Sequence, residues 1–225
     1  MPRVPRGNRG TGTQTTGTDG ADVLRGTSAG DTISSGLGDD LVYGNRGNDV
    51  INADVSIVPP LAQANNDTVF GGPGNDVIRV GSGQDIVYGG PGNDDIELAV
   101  GGMLVPFIPD DGSDTIIFEY SSRTGFGIGN DTVRVVQAGD VFVFLDRNGQ
   151  TNSLAELAAQ TQLVHVGDNT YEIDWLIGNQ SVTLQLDNNY LIYTGPPGQT
   201  VVWDNFATLD QLATVVTFQF QYPFL

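Results

Sequence analysis

Aspartate recurs along this chain at positions 22, 31, 40 and 49, and again at 67, 76, 85 and 94. The step within each group is nine residues and the gap between the groups is eighteen, so the phase survives across it. Carboxylates repeated in register are suited to gathering cations, and the residues around them say how they are held. Two positions after each Asp stands an aliphatic residue: Leu24, Ile33, Val42, Ile51, Val69, Ile78, Val87 and Ile96. Asp114 and Asp131 lie off the period but keep the same neighbour, Ile116 and Val133. Glycine dominates two and four positions before the Asp, as in Gly36 and Gly38, Gly72 and Gly74, Gly81 and Gly83, Gly90 and Gly92, and Gly127 and Gly129. Asn45 and Gly47 hold the equivalent places before Asp49.

Each nonad therefore reads as a glycine-rich turn followed by a three-residue strand whose middle side chain points inward. Glycine suits the turn because it accepts positive φ and lets carbonyls converge. Two nonads make one coil, so every second copy stacks on the same edge. Strands stack about 4.8 Å apart. Carboxylates at that spacing repel by roughly 3 to 4 kcal/mol per neighbour at an effective dielectric of 20. The ladder thus calls for cations, and an all-oxygen set of carboxylates and carbonyls selects Ca²⁺ over zinc or copper, and over Mg²⁺, which resists dehydration. The phase places Asp31, Asp49, Asp67 and Asp85 on one edge. The other edge carries Asp22 and Asp40, then Val58 where an Asp is due, then Asp76 and Asp94. Ions are expected between 22 and 40, 31 and 49, 49 and 67, 67 and 85, and 76 and 94, with one missing near residue 58.

The best copies read Gly71-Gly72-Pro73-Gly74-Asn75-Asp76-Val77-Ile78-Arg79 and Gly89-Gly90-Pro91-Gly92-Asn93-Asp94-Asp95-Ile96-Glu97. This pattern, GGxGxDxUx, resembles the RTX (repeat-in-toxin, haemolysin-type) calcium-binding repeats. The resemblance covers about residues 17 to 134. It implies an all-β fold, a parallel β-roll, with several Ca²⁺ ions as cofactors. It also implies an extracellular or cell-surface protein, exported unfolded by type I secretion and folding where Ca²⁺ is millimolar. The phenylalanine-rich end, Phe218 to Leu225, is compatible with the C-terminal address such a route reads.

Composition narrows the partners. The net charge is −18 and the pI about 4.1, which argues against nucleic acid and anionic membranes. Of the 27 acidic residues 23 are Asp, which favours turns over helices. There is no Cys, so neither disulfides nor thiolate sites contribute. No apolar run approaches a membrane span, and Met1 to Arg6 lacks the apolar core of a signal peptide.

The expected organisation is a flexible Gly/Thr-rich tail over 1–16, the roll over 17–134 with loop insertions near 53–64 and 98–110, and a C-terminal β capping region over 135–225. In that last region Val141 to Leu145 leads into a hairpin-type turn at Asp146 to Gly149. Ser153 and Glu156 form a capping box for a short helix to about Gln160, one of one or two expected there. Antiparallel strands are expected over Thr170 to Ile177, Ser181 to Leu186, Tyr190 to Tyr193, Thr200 to Trp203 and Thr214 to Tyr222. Val202 to Phe206 resembles the segment that follows RTX arrays.

Catalytic candidates are poor. Gly26-Thr27-Ser28-Ala29-Gly30 matches a GxSxG nucleophile elbow but falls inside the repeat, away from the strand-turn-helix the elbow needs. His165 is the single histidine, so a His-based zinc hydrolase is excluded. Carboxylates are so many that no pair stands out as a glycosidase acid and base. The sequence reads as a non-enzymatic scaffold, structural or adhesive, whose partners are Ca²⁺ and either further copies of itself or an extracellular polysaccharide. Trp175, Tyr190, Tyr193 and Trp203 are the stacking candidates for a glycan.

Overall fold

The computed structural model of the chain describes residues 11–54, 65–98, 113–121, 127–137, 139–149, 151, 153–167, 169–176, 179–186, 206–214 and 216–220. Within the repeats a strand forms at each Asp-x-aliphatic-x run. The rungs are β1 (Gln14–Thr16), β2 (Val23–Arg25), β3 (Thr32–Gly36), β4 (Leu41–Tyr43), β5 (Val50–Asp54), β6 (Thr68–Phe70), β7 (Val77–Arg79), β8 (Ile86–Tyr88) and β9 (Asp95–Glu97). Longer strands follow, β10 (Thr115–Tyr120), β11 (Asn130–Val136) and β12 (Val141–Asp146). The chain ends with α1 (Leu154–Gln160), β13 (Thr161–Gly167), β14 (Thr170–Trp175), β15 (Ser181–Leu186), α2 (Leu209–Leu212) and β16 (Thr217–Gln219).

Odd and even strands separate into two sheets, because each coil gives one strand to each. One sheet runs β1-β3-β5-β7-β9-β11-β15-β14-β13 and the other β16-β12-β10-β8-β6-β4-β2. All pairings are parallel except β13-β14 and β14-β15. This is the expected β-roll with an antiparallel C-terminal part. The roll's stacking begins at β1, inside the segment whose composition reads as tail, and β15 joins the last strands to β11.

The aliphatic column is the core. Ile33, Val42, Ile51, Val69, Ile78, Val87, Ile96, Ile116 and Val133 are fully buried between the sheets, and Leu24 packs against them at the N-terminal end. Replacing one member leaves a cavity that flanking rungs cannot close, since their strands are pinned by ladder bonds. Ile51→Ala should cost about 2–5 kcal/mol, read as a lowered urea midpoint in saturating Ca²⁺. Turn geometry is equally strict. Asn45 takes the left-handed φ of 76° that glycine takes at its place elsewhere. At Gly74 a Cβ would lie 1.5 Å from the Gly47 carbonyl oxygen, so no larger residue fits.

The stacking order differs from the phase read in the sequence. Strand β4 pairs with β6, setting Val42 against Val69, and β5 pairs with β7, setting Ile51 against Ile78. Asp40 therefore stacks on Asp67 and Asp49 on Asp76; 49 and 67 lie on opposite edges. One edge runs 22, 40, 67, 85, 114 and the other 31, 49, 76, 94, 131, with no gap where Val58 was due. The cause is an insertion whose net length equals one nonad. Asp54 fills the place four before Asp67 and Asn65 the place two before it, so residues 55–64 stand where one turn residue stands elsewhere. That place is the tip of the turn, exposed at Arg46, Pro73 and Pro91. Most of the insertion expected near 98–110 lies outside the described residues.

At the C-terminal end Ser153 caps α1, its Oγ accepting the Glu156 N–H at 3.3 Å, the bond the capping box predicts for the cap side chain, and donating to the Glu156 carboxylate at 3.2 Å. Strands β14 and β15 fall within the runs read for them. The turn at Asp146 to Gly149 forms, closed by Gly149 N–H to Asp146 C=O at 2.9 Å, but it makes no hairpin. Strand β12 instead lies parallel between β10 and β16, completing a further coil. The runs at Tyr190 to Tyr193 and Thr200 to Trp203 lie outside the described residues, and so does all of 1–10.

Candidate metal centre

The two edges are built rung by rung. On one, the backbone N–H of Asp22 donates to Oδ1 of Asp40 (2.8 Å), Asp40 to Asp67 (2.9 Å), Asp67 to Asp85 (2.7 Å), Asp85 to Asp114 (2.9 Å) and Asp114 to Asp140 (3.1 Å). On the other, Thr13 donates to Asp31, Asp31 to Asp49 (2.7 Å), Asp49 to Asp76 (2.8 Å), Asp76 to Asp94 (2.9 Å) and Asp94 to Asp131 (2.9 Å). Every Asp of the sequence column is thus in a ladder, including the off-period Asp114 and Asp131. Asp40, Asp49, Asp67, Asp76, Asp85, Asp94, Asp114 and Asp131 are all buried.

The second carboxylate oxygen decides what the ladder can hold. In the first coils it is satisfied within the turn: Asp22 Oδ2 accepts from Thr18 N–H and Oγ, and Asp31 Oδ2 from Thr27 N–H and Oγ. Further along glycine, Asn45 or, in the Asp67 turn, Asp54 replaces the threonine, and Oδ2 of Asp40, Asp49, Asp67, Asp76 and Asp94 is buried with no hydrogen-bond partner. In three of these turns the oxygen is pressed toward glycine: a Cβ on Gly44, Gly71 or Gly89 would lie 2.5 Å from Oδ2 of Asp49, Asp76 or Asp94. Orphaned buried carboxylate oxygens are costly unless a cation meets them. Among the described residues no three His, Cys, Asp or Glu side chains converge as a metal centre. A cation here must therefore draw on backbone carbonyls as well, the donor set that suits hard, many-coordinate Ca²⁺.

Charge within the ladder follows. Burial, together with the neighbouring carboxylates, pushes Asp67 up to about 8. Burial likewise raises Asp76 and Asp94 to about 7 and Asp131 to about 9, with the charges of Asp49, Asp76 and Asp94 respectively adding to it. In each case the N–H of the preceding Asp opposes the rise without cancelling it. Asp49 is raised as well, chiefly by burial. At Asp31 burial also pushes upward, but the Thr27 and Thr13 hydrogen bonds outweigh it and leave the carboxyl below its ordinary value.

Three features of the site escaped the sequence reading. Asp140 extends the first ladder, and its distance of nine from Asp131 was the available signal. Thr13 starts the second, standing nine before Asp22. A separate asparagine ladder runs in the opposite sense, Asn48 Oδ1 accepting from Asn75 N–H, Asn75 from Asn93 and Asn93 from Asn130, each at 3.0 Å. Of the other candidates, Ser28 lies in a turn between β2 and β3, with no helix behind it. His165 is exposed on β13 and stacks on Tyr171. Trp175 is a core residue against Tyr120 and Phe144, so of the two readings open to it, glycan stacking and core packing, the second holds.

Residues 16–51 and 62–96 match the RTX calcium-binding nonapeptide repeat in four copies. The chain carries RTX repeats. RTX repeats bind Ca²⁺, and the matched residues hold the ladder aspartates from Asp22 to Asp94. Among solved structures, the extracellular lipase LipA from Serratia marcescens is similar at 15% identity with a TM-score of 0.37, over 81% of this chain and 39% of the lipase. This chain thus spans well under half of that protein. The AlgE6R3 subunit of the Azotobacter vinelandii mannuronan C5-epimerase is similar at 16% identity with a TM-score of 0.24, over 82% of this chain and 86% of the subunit. No curated protein matches the sequence. RTX repeats are typical of secreted proteins, and among the described residues no helix is long and apolar enough to cross a membrane.

Proposed function

We propose that this RTX chain is a calcium-folded structural or adhesive surface module, without catalysis of its own, that leaves the cell by type I secretion and folds outside it. The observation that carries this reading is the row of buried carboxylate oxygens without partners, at Asp40, Asp49, Asp67, Asp76 and Asp94. In a compartment poor in Ca²⁺ these groups oppose the coil. Where Ca²⁺ is plentiful, the free energy of binding becomes free energy of folding. Extracellular modules bind at about 10⁻⁴ to 10⁻³ M, which suits a switch at the cell boundary. The ligands are the ladder carboxylates with the turn carbonyls around Gly36 and Gly38, Asn45 and Gly47, Gly72 and Gly74, Gly81 and Gly83, and Gly90 and Gly92.

Assembly with further copies is the favoured role once folded. Among the described residues, strands β1 and β2 end the two sheets at the N-terminal side, and Val23 on β2 is exposed. A glycan-binding role has less support on the roll. Its outer aromatics Tyr43 and Phe70 stack on each other, centroids 5.1 Å apart, and Arg25 lies 4.0 Å over the Tyr43 ring, so their faces are already used.

The test is a Ca²⁺ titration of EDTA-stripped protein followed by far-UV circular dichroism, with Mg²⁺ as control. A cooperative gain of β signal with Ca²⁺ alone is expected. A spectrum already β-rich in EDTA at pH 7.5, and indifferent to Ca²⁺, would sink the reading.

A further inference from the structure

The turn that carries the insertion departs from the other turns in one atom position. Four places before the ladder Asp, the residue's carbonyl oxygen normally faces the equivalent glycine of the next coil. A Cβ on Gly36 would meet Thr18 O at 2.0 Å, one on Gly72 would meet Asn45 O at 1.8 Å, and one on Gly90 would meet Gly72 O at 2.4 Å. At Gly81 the atoms met are instead Asp54 Cβ, at 2.4 Å, and Asp54 Oδ2, at 2.8 Å. Asp54 stands where the motif has glycine, and its φ lies outside the left-handed region that Gly36, Asn45, Gly72, Gly81 and Gly90 adopt. A carboxylate has taken the place of a turn carbonyl.

We propose that Asp54 is a calcium ligand particular to this turn, its carboxylate supplying, between the Asp67 and Asp85 coils, the oxygen that a turn carbonyl supplies in other coils. Asp54 is 6% exposed, and its Oδ2 accepts from Ser82 Oγ at 3.2 Å in the Asp85 coil. An independent observation meets it from the same turn. Asp67 is 1% exposed, its Oδ1 takes the Asp40 N–H, and its buried Oδ2 has no hydrogen-bond partner. The charge of Asp54 is among those acting on Asp67. A neutral carbonyl traded for a carboxylate strengthens a hard-cation site and fastens the first foot of the insertion to the ladder. The second foot, Asn65, is already tied to both flanking coils, its N–H donating to Ser82 O at 3.2 Å and its Oδ1 accepting Gly38 N–H at 3.0 Å.

The inference rests on Ca²⁺ binding by the ladders, and its test separates the two. Wild-type, Asp54→Asn and Ser82→Ala proteins are stripped with EDTA and titrated with Ca²⁺ by calorimetry. Thermal melts are then recorded in Ca²⁺ at pH 7.5 and in EDTA at pH 5. Asp54→Asn keeps the shape and a hydrogen-bond acceptor, so it should lose one ion, or weaken one site by at least about tenfold, with its melt lowered in Ca²⁺ and unchanged in EDTA. Ser82→Ala should bind as wild type. The proposal is overturned if Asp54→Asn binds the wild-type number of ions with wild-type affinity, or lowers both melts equally. It is overturned too if Ser82→Ala loses the same ion, which would make Asp54 a partner of Ser82 only. A wild-type protein that takes up no Ca²⁺ removes the underlying reading along with it.

Discussion

Stripped of divalent cations, the protein should hold more β-structure at pH 5 than at pH 8.5, the reverse of the usual behaviour of a domain rich in ion-paired carboxylates. The sign follows from the ladder. Burial, joined by neighbouring carboxylates, raises Asp76 and Asp94 to about 7, Asp67 to about 8 and Asp131 to about 9 in the folded chain. In the unfolded chain the same groups titrate near 4. Between these limits the folded state holds protons that the unfolded state has released, so stability falls as pH rises, by about 1.4 kcal/mol per pH unit for each such proton. The stability these groups contribute is fully present below pH 4 and lost as pH passes 7 to 9. Asp31 acts in the opposite sense, its lowered carboxyl favouring the fold above its unfolded value, but it is one group against five, since Asp49 is raised as well. Saturating Ca²⁺ should flatten the profile, because the cation replaces the proton as the partner of the buried oxygen. Circular dichroism melts from pH 4.5 to 9, with EDTA and with Ca²⁺, check both statements. An EDTA profile that rises with pH would mean that the ladder carboxylates are not buried as charges in the folded chain.

The columns of the roll were legible because each serves a separate physical demand that leaves a residue type at a fixed place. The inward strand position needs an aliphatic side chain, the turn needs left-handed backbone and so glycine or Asn45, and the rung needs a short acceptor, so Asp. The order of stacking was not legible. Residues 55–64 replace one tip residue, a net gain of nine, and a gain of one full period leaves no trace in the phase of the Asp column. Only the strand pairing shows it. The asparagine ladder stayed hidden for another reason: Asn48, Asn75 and Asn93 sit where asparagine is ordinary turn chemistry, and nothing in their spacing marks the side chain as an interstrand acceptor. Trp175 shows the limit of composition. On an alternating strand its burial depends on which face meets the core, and here it is the face toward Phe144.

Stacking order has its own measurable consequence, with an effect large enough to decide between the two phases. Asp49 and Asp76 share a rung, Asp49 N–H donating to Asp76 Oδ1 at 2.8 Å, whereas Asp49 and Asp67 lie on opposite edges. In saturating Ca²⁺, Asp49→Asn and Asp76→Asn should each be strongly destabilising. The pair should cost less than the sum by about 0.5–3 kcal/mol, because the first substitution already removes the cation the second would have shared. Asp49→Asn with Asp67→Asn should be additive to within about 0.5 kcal/mol. In EDTA at pH 8.5 the single substitutions should become stabilising, since each relieves repulsion between buried carboxylates, and the same pair should again be the coupled one. Urea unfolding of the three single and two double variants in Ca²⁺, and their residual β signal by circular dichroism in EDTA at pH 8.5, read all of this. Strong coupling between 49 and 67 with none between 49 and 76 would restore the phase read from the sequence.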